Sequence, residues 1–334
     1  MGESLTTTLQ DQTRSVLTPL LQRSQPVALL DYPQHFNAGD TLIYRGEMSY
    51  AAELSDGVKY ICTRRTYDKA AMTNAVPHGP LLLHGGGNFG DRYAAFQLFR
   101  EQVIADNPDR TVIQMPQTME FRDKDALART QRLYAQHPNL TLLMRDTPGY
   151  EKAVNLFPDN RVLFCPDAAF GAGYLEPTAT ASHEYVVLKR KDSESVHGKD
   201  ALPRSLVSRG YVCDWHATIV DNLKWWPATW FSRSVHRLRP VRQPVTPALL
   251  SLYEQQADII LRNAISIISR GNVVVTDRLH AAVFGILMRK PVVMVDNANK
   301  KLSLAYKDYL QHAPDVYLAT DFGEATEIAA RIAV

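Results

Sequence analysis

The sequence predicts an α/β protein made of two Rossmann-like units, each a doubly wound parallel sheet covered by helices, that face each other across a cleft. Short apolar runs alternate along the chain with longer segments of helical period, which is the pattern of such sheets. Residues 171–184 are rich in Gly, Pro, Thr and Ser and separate two series of this kind. The 334 residues suffice for two domains of about 150 residues each. We therefore expect domains at residues 1–175 and 176–334, with the last helix packing back on the first.

The apolar runs are assigned to strands and the periodic segments to helices. In the first half the predicted strands are VALLDY (27–32), PLLLHGG (80–86), TVIQMPQ (111–117), LTLLMRD (140–146) and RVLFCPD (161–167). In the second half they are YVVLKRK (185–191), GYVCDW (210–215), NVVVTD (272–277), PVVMVDN (291–297) and DVYLAT (315–320). Helices are predicted between them at 40–48, 91–106, 123–136, 149–157, 247–269, 278–288 and 322–333.

Composition narrows the class of protein. The formal net charge of +2 is too small for a nucleic-acid-binding domain, which usually has a strongly basic face. The cysteines, Cys62, Cys165 and Cys213, are too few and too widely spaced for a disulfide framework or a zinc site, which favours a reducing cytoplasm. We find neither the apolar core of a secretory signal nor a run of about 20 apolar residues. We expect a cytoplasmic protein whose contact with a membrane, if any, is peripheral.

The strongest local motif is HGGGNFGD at residues 84–91, which follows an apolar run and precedes a predicted helix. Consecutive glycines let the backbone approach a ligand closely, and a helix N-terminus attracts an anion. The spacing fits neither the dinucleotide fingerprint GxGxxG nor the P-loop. A phosphate or carboxylate would suit this segment. The alternative is a tight turn in which Asp91 caps the following helix.

A second motif, TDRLHA at residues 276–281, also follows a strand and opens a helix. Asp277 is expected to cap that helix, which places Arg278 and His280 in its first turn. A guanidinium, an imidazole and the helix dipole would then meet an anion together. His280 could donate a proton near neutral pH. The alternative for His280 is a packing role in an apolar helix.

Polar groups follow most of the other predicted strands as well. Because ligands of open α/β sheets bind beyond the carboxyl ends of the strands, these groups are candidates for the same cleft, although each alone could be a cap or a surface pair. They are Asn37 to Asp40, Gln117 and Thr118, Arg145 and Asp146, Asp167, and Lys189 to Asp192.

All four tryptophans lie in one short window, residues 215–230, and arginines follow it. Aromatic rings beside arginines suit a sugar, an acidic saccharide or the surface of an anionic membrane. The alternative is a satellite hydrophobic cluster under a long connection.

Taken in order, these motifs resemble the polysaccharide pyruvyl transferases of bacterial exopolysaccharide and cell-wall pathways. The matching segments are NAGD (37–40), HGGGNFGD (84–91), PQT (116–118), RD (145–146), PD (166–167), KRKD (189–192), TDRLHA (276–281) and DN (296–297) followed by Lys300 and Lys301. The resemblance implies the B-type glycosyltransferase (GT-B) fold. It implies transfer from phosphoenolpyruvate to two hydroxyls of one sugar, with a cyclic ketal and phosphate as products. It implies no cofactor and no metal.

The resemblance also suggests roles for individual residues. His280 is the candidate general acid, and Asp91 is the candidate base for the sugar hydroxyl. Arg278 and Arg190 are expected to hold the donor's phosphate and carboxylate. Lys189 and Lys191 flank Arg190, and strand alternation decides which of the three faces the cleft. Further substrate-binding candidates are Gly86, Gly87, Asn88, Asp40, Gln117, Arg145 and Lys301.

The Trp and Arg window has no counterpart in the family's motifs. It is assigned to the acceptor, which in such pathways is commonly a lipid-linked oligosaccharide at the inner membrane face. The residues concerned are Trp225, Trp226, Trp230, Arg233 and Arg237. Two other functions stay open: a GT-B glycosyltransferase that uses a nucleotide sugar, and a noncatalytic sugar-phosphate-binding module.

Overall fold

A computed structural model describes residues 5–190, 202–216, 218–235, 246–296 and 300–332. The strands are β1 (Val27–Leu30), β2 (Val58–Cys62), β3 (Leu81–Leu83), β4 (Gly86–Gly90), β5 (Val112–Glu120), β6 (Leu140–Met144), β7 (Arg161–Phe164), β8 (His183–Leu188), β9 (Gly210–Cys213), β10 (Gly271–Thr276), β11 (Val292–Val295) and β12 (Val316–Ala319). The α-helices are α1 (Leu5–Leu17), α2 (Ala38–Leu54), α3 (Lys69–Ala75), α4 (Ala94–Asp106), α5 (Lys124–Ala135), α6 (Thr147–Leu156), α7 (Arg204–Arg209), α8 (Ile219–Val235), α9 (Thr246–Ser269), α10 (Leu279–Leu287), α11 (Lys301–Ala305) and α12 (Phe322–Ile332).

The strands form two parallel sheets, so the predicted α/β class is confirmed. The first sheet has seven strands in the order β2-β1-β3-β5-β6-β7, and β4 pairs with the far end of β5. The second has five strands in the order β12-β11-β10-β8-β9. Central strands such as β1 and β11 are buried along their whole length, as expected where helices cover both faces. This double burial is why the strands read as unbroken apolar runs.

All ten predicted strands are present within the described residues, but the sequence missed β2 and β4. The Gly-rich composition of β4 carries no strand signal, and the segment becomes a strand because the long β5 offers a partner, with Phe89 opposite Met119. Gly90 has a φ of 128°, and a Cβ there would lie 1.9 Å from the Glu120 carbonyl oxygen, so only glycine fits. The motif is thus a strand followed by a 3-10 turn at Asp91–Tyr93, and α4 begins later than predicted.

One buried core joins the two halves of the chain. Leu42 and Ile43 of α2 belong to the same apolar cluster as Val274 of β10 and Phe284 of α10. The long α9 helix adds a second connection, because its Tyr253 belongs to the apolar cluster beneath the first sheet. The helices α2 and α10, which both contribute residues to the cavity described below, therefore share one continuous core.

The last helix packs differently from what the sequence led us to expect. Phe322, Ala325 and Ala329 of α12 are buried among residues of β8, β10 and β11. The helix therefore covers the second sheet and does not return to the first half of the chain. Its apolar face is buried against the strands of the second sheet. None of the helices in the described ranges combines the length and hydropathy that crossing a bilayer requires.

Candidate active site

A cavity of about 310 Å³ lies where residues that follow strands of both sheets converge. This is the position at which open α/β sheets bind ligands. Most of the candidates from the sequence contribute to its wall. These are Asp40, Gly87, Asn88, Arg145, Arg190, Arg278, His280 and Lys301.

His280 lies at the centre of a contact between the two halves. Its Nε2 is 3.3 Å from Oδ2 of Asp167, and the same oxygen accepts a hydrogen bond of 2.5 Å from Nη1 of the buried Arg145. Burial alone would disfavour the charged carboxyl, but the Arg145 charge and the His280 hydrogen bond outweigh it and hold the pKa of Asp167 well below its usual range. Asp167 is therefore an anion that fixes the imidazole at the cavity wall.

The other side of His280 packs on the start of α2. Asn37 caps this helix by accepting a hydrogen bond of 3.0 Å from the Gly39 N–H. A Cβ at Gly39 would lie 2.4 Å from Nδ1 of His280, so the glycine is what lets the ring approach the helix. Asn37 Nδ2 also donates to Oδ2 of Asp40 at 2.7 Å, which holds that carboxylate at the cavity wall.

The guanidinium of Arg278 is held by two hydrogen bonds to one carboxylate. Its Nε and Nη2 donate to the two carboxylate oxygens of Asp214, at 2.6 and 2.8 Å. Such a pair fixes the plane of the guanidinium before any ligand arrives. Asp214, at the end of β9, is a residue that the sequence did not single out.

Asp277 does not cap α10 as predicted. Its Oδ1 accepts a hydrogen bond of 2.8 Å from the backbone N–H of Arg190, so it joins the ends of β8 and β10. Burial raises the pKa of the Asp277 carboxyl, although the bond from the Arg190 N–H opposes the rise. Arg190 lines the cavity, whereas Lys189 Nζ lies over the Phe322 ring at 5.4 Å, and Lys191 lies outside the described residues.

Two more cations reach the Gly-rich strand. A Cβ at Gly87 would lie 3.3 Å from Arg145 Nη2 and 3.6 Å from Lys301 Nζ. Arg145 comes from the first half of the chain and Lys301 from the second. The bare backbone of Gly87 lets both cations approach the same stretch of β4, and a bound anion there would meet both.

Gln117 supports the site without lining it. Its Nε2 donates to the His84 carbonyl oxygen and to Asn88 Oδ1, both at 2.9 Å, and its Oε1 accepts from the Asn88 N–H at 3.1 Å. The buried Arg100 donates to the Asn88 carbonyl oxygen at 2.8 Å from the other side. Gln117 therefore sets the position of Asn88 in the wall.

A buried ion pair anchors the start of the Gly-rich segment. His84 Nδ1 is 2.7 Å from Glu47 Oε2, and the other carboxylate oxygen accepts from the Gly85 N–H at 2.7 Å. Burial lowers the pKa of His84, but the Glu47 charge outweighs it, so the pKa is raised overall. The sequence gave no reason to pair Glu47 with the motif, since it lies 37 residues away from His84.

Asp91 lies outside the described cavity wall, and its assignment as the base stays a prediction. Its Oδ2 accepts hydrogen bonds from the backbone N–H groups of Arg122 and Asp123, and it is not among the cavity-lining residues. The reason is that β4 carries the chain past the cavity before Asp91 is reached. Gly86, at the start of β4, is likewise outside the described cavity wall.

The tryptophan window separates into different environments. Trp225 is buried against Phe36, with ring centroids 4.5 Å apart, and Trp215 lines the cavity. Trp226 and Trp230 are exposed on α8. Arg237 lies outside the described residues, and for Arg233 only the helical backbone is described. The window is therefore not a single binding site.

The sequence analysis missed several residues of the wall. Tyr93 and Phe96 reach the cavity because α4 begins three residues later than predicted, at Ala94. His35, two residues before the NAGD segment, and Leu279, inside the TDRLHA motif, also line the wall. Within the described parts of the chain, no group of three His, Cys, Asp or Glu side chains is arranged to hold a metal ion.

The geometry defines an α/β protein with a cationic cleft suited to a small anionic ligand. The family model described as Polysaccharide pyruvyl transferase matches residues 37–299. That range is more than half of the chain, so the chain belongs to the polysaccharide pyruvyl transferase family and is an enzyme of that class.

Individual relatives agree with this membership. The chain is 31% identical over 284 residues to Pyruvyl transferase 1 of Schizosaccharomyces pombe, a match that covers 81% of this chain and 66% of that protein. It is 27% identical over 308 residues to the Bacillus subtilis protein named "Putative pyruvyl transferase EpsO", with 92% of each chain covered. A crystal structure of an uncharacterised protein from Klebsiella pneumoniae has a similar fold, with a TM-score of 0.54, 18% identity and 94% and 99% of the two chains covered.

Proposed function

We propose that this enzyme transfers the pyruvyl group of phosphoenolpyruvate to two hydroxyls of one sugar of a cell-surface glycan precursor, and releases phosphate. The observation that carries the proposal is the set of cations around His280. Arg145, Arg190, Arg278 and Lys301 line one cavity together with a histidine. Phosphoenolpyruvate carries a phosphate and a carboxylate, and guanidinium forks suit both groups. His280 stands beside the anion so held.

The proposed chemistry begins with a proton. His280 donates it to the methylene carbon of phosphoenolpyruvate, so C2 becomes an electrophilic oxocarbenium-like centre. A sugar hydroxyl oxygen bonds to C2 and gives its proton to Asp40, which the structure favours over Asp91 because it lies in the cavity wall. The second hydroxyl oxygen bonds to C2 as the bond from C2 to the phosphate oxygen breaks, and its proton leaves with the phosphate. The protein supplies protons and positions; no cofactor is part of the proposal.

The fold suggests how donor and acceptor are divided. Arg190, Arg278, His280 and Lys301 follow strands of the second sheet, whereas Asp40 and the Gly-rich strand belong to the first half. We therefore assign the donor to residues 176–334 and the acceptor to residues 1–175, in a GT-B arrangement. Tyr93 and Phe96 give the acceptor wall an aromatic surface on which a sugar ring can stack. A sugar presented by a lipid-linked oligosaccharide at the inner membrane face would meet this wall.

The test is phosphate release and ketal formation. Candidate oligosaccharides are incubated with phosphoenolpyruvate, phosphate is assayed, and the product is weighed by mass spectrometry for one added pyruvate ketal. His280→Ala and Arg278→Ala are each expected to lower turnover at least about 100-fold, the scale of one general acid. His312→Ala is the matched control, because that histidine is exposed and outside the described cavity wall.

Two outcomes would contradict the proposal. Near wild-type turnover in folded His280→Ala and Arg278→Ala would remove the roles of both residues. Thermal stabilisation of the enzyme by nucleotide sugars, with none by phosphoenolpyruvate, would identify a different donor.

A further inference from the structure

Helix α8 exposes large apolar side chains on its solvent-facing side, where polar side chains are normally found. Ten large apolar side chains are exposed in the described structure, and four of them lie on this helix. Leu223 is 70% exposed, Trp226 54%, Trp230 73% and Phe231 46%. Leu223, Trp226 and Trp230 are spaced i, i+3 and i+7, so they share one face, which Phe231 extends. This set of four residues is called the outer face of α8.

The opposite face of the helix is buried and partly polar. Thr229 and Ser232 are fully buried there, next to the buried Trp225. Gln256 of α9 donates to Thr229 Oγ1 at 2.8 Å, and Gln34 donates to Ser232 Oγ at 2.9 Å. The described side chains of the inner face are thus occupied by contacts within the protein. A surface helix normally buries its apolar stripe and exposes its polar one, so the outer face calls for a partner that is apolar where it meets the helix.

We propose that the outer face of α8 docks on an anionic lipid surface, with the helix axis lying in the plane of the interface. Two exposed tryptophans beside leucine and phenylalanine suit the boundary between headgroups and acyl chains. The charge of the sequence around them fits the same partner. Residues 222–253 contain Lys224 and four arginines, at 233, 237, 239 and 242, and no Asp or Glu. Cations in the sequence suit anionic headgroups, and a net charge of only +2 over the whole chain shows that the excess is local; of these five residues the structure describes only the helical backbone of Lys224 and Arg233.

Docking in this way would bring the cavity close to the membrane. The inner face of α8 contacts Gln34 and Phe36, and the residues next to them, His35 and Asn37, line the cavity. One helix, about 10–12 Å across, therefore separates the lipid surface from this loop. The next step rests on the proposed function: if it holds, sugars attached close to a lipid carrier would reach the acceptor wall. Lipid docking itself does not depend on the transferase reaction.

The experiment compares vesicle binding of matched variants. The full chain is sedimented with phosphatidylcholine vesicles that contain phosphatidylglycerol, and with phosphatidylcholine vesicles alone. The wild type is expected to bind the anionic vesicles and to be released by high salt. The double variant W226S/W230S is expected to bind at least tenfold more weakly. L98S/V154S is the control, because it removes two exposed apolar side chains elsewhere on the surface.

Each remaining outcome decides the proposal. Thermal melting of W226S/W230S near that of the wild type shows that the loss is not unfolding, which is expected because both rings are exposed. Absence of wild-type binding to anionic vesicles would overturn the proposal, and so would equal binding by W226S/W230S. A dimer that W226S/W230S converts to a monomer would also overturn it, since the outer face would then bind a second copy. Vesicle binding without any ketal formation would leave lipid docking standing and refute the proposed function alone.

Discussion

Gly39→Ala is expected to disable the enzyme while leaving it folded. A Cβ at this position would lie 2.4 Å from Nδ1, 2.7 Å from Cγ and 2.9 Å from Cβ of His280. Ordinary contact between such atoms begins at about 3.4–3.5 Å, so the imidazole must withdraw by about 1 Å. The withdrawal also alters the contact of Nε2 with Asp167, which is 3.3 Å in the wild type. A misplacement of about 1 Å at a reacting group costs on the order of 100-fold in rate.

The effect on stability should be small because two contributions oppose each other. Alanine in place of glycine favours a helix by about 1 kcal/mol, whereas crowding the His280 ring costs about 1–3 kcal/mol. We expect the melting temperature to shift by no more than about 4 °C. Turnover is measured by phosphate release with donor and acceptor at saturation, and melting by circular dichroism.

A matched control separates the clash from the change of residue type. Gly323 is the second residue of α12, as Gly39 is of α2, and a Cβ there would meet only the side chain of Asp321, at 2.9 Å. Asp321 is exposed and can turn aside, so Gly323→Ala should keep wild-type turnover. If Gly39→Ala turns over as fast as Gly323→Ala, the position of His280 is not what the reaction depends on.

Three further predictions concern the carboxylates and the acceptor wall. Asp167→Asn leaves a buried guanidinium without its counter-ion and should lower the free energy of unfolding by about 3–5 kcal/mol at pH 7, measured in urea. Because the folded-state pKa of Asp167 is depressed, this contribution is present above the ordinary Asp pKa of about 3.9 and should shrink as the pH falls below that value. An unchanged difference in the free energy of unfolding between the two proteins at pH 3 would contradict the ion pair. Asp40→Asn should lower turnover at least about 100-fold, whereas Asp91→Asn should retain it, and the reverse order would return the base to the Gly-rich motif. Tyr93→Ala should raise the KM for the acceptor about tenfold and leave the KM for phosphoenolpyruvate unchanged. Leu98→Ala is the control, because Leu98 is exposed on the following helix, α4, and lies outside the described wall. Equal effects of Tyr93→Ala on both KM values would argue against stacking.

The strands were the part of the fold that the sequence predicted best. Strands buried on both faces have to be apolar throughout, and runs such as 272–277 and 291–297 show it directly. The strand β4 could not be found in this way, because three of its five residues are glycines and its pairing depends on β5, about 30 residues further along the chain. Helix α2 was predicted to begin at residue 40 and begins two residues earlier, at Ala38, because Asn37 is its N-cap.

The site was predictable where a residue directly follows a strand. His280 and Arg278 fit this rule, since α10 starts immediately after β10, and both line the cavity. Asp91 also directly follows a strand, but that strand is β4, which the sequence analysis did not predict, and Asp91 lies outside the described cavity wall. Asp214, which orients Arg278, and Glu47, which binds His84, are positioned by folding over long sequence distances, and no local pattern marks them.

The shared core beneath the cavity has a consequence for how the enzyme cycles. Leu42 of α2 and Phe284 of α10 belong to one apolar cluster, so the two walls of the cavity share one packed core. Hinged enzymes commonly spend their slowest step opening and closing. A cleft whose two walls share a packed core is expected to change little in width when a substrate binds. If the proposed function holds and the chemical steps limit turnover, turnover is expected to be independent of solvent viscosity, whereas a rate limited by hinge closure would fall as viscosity rises.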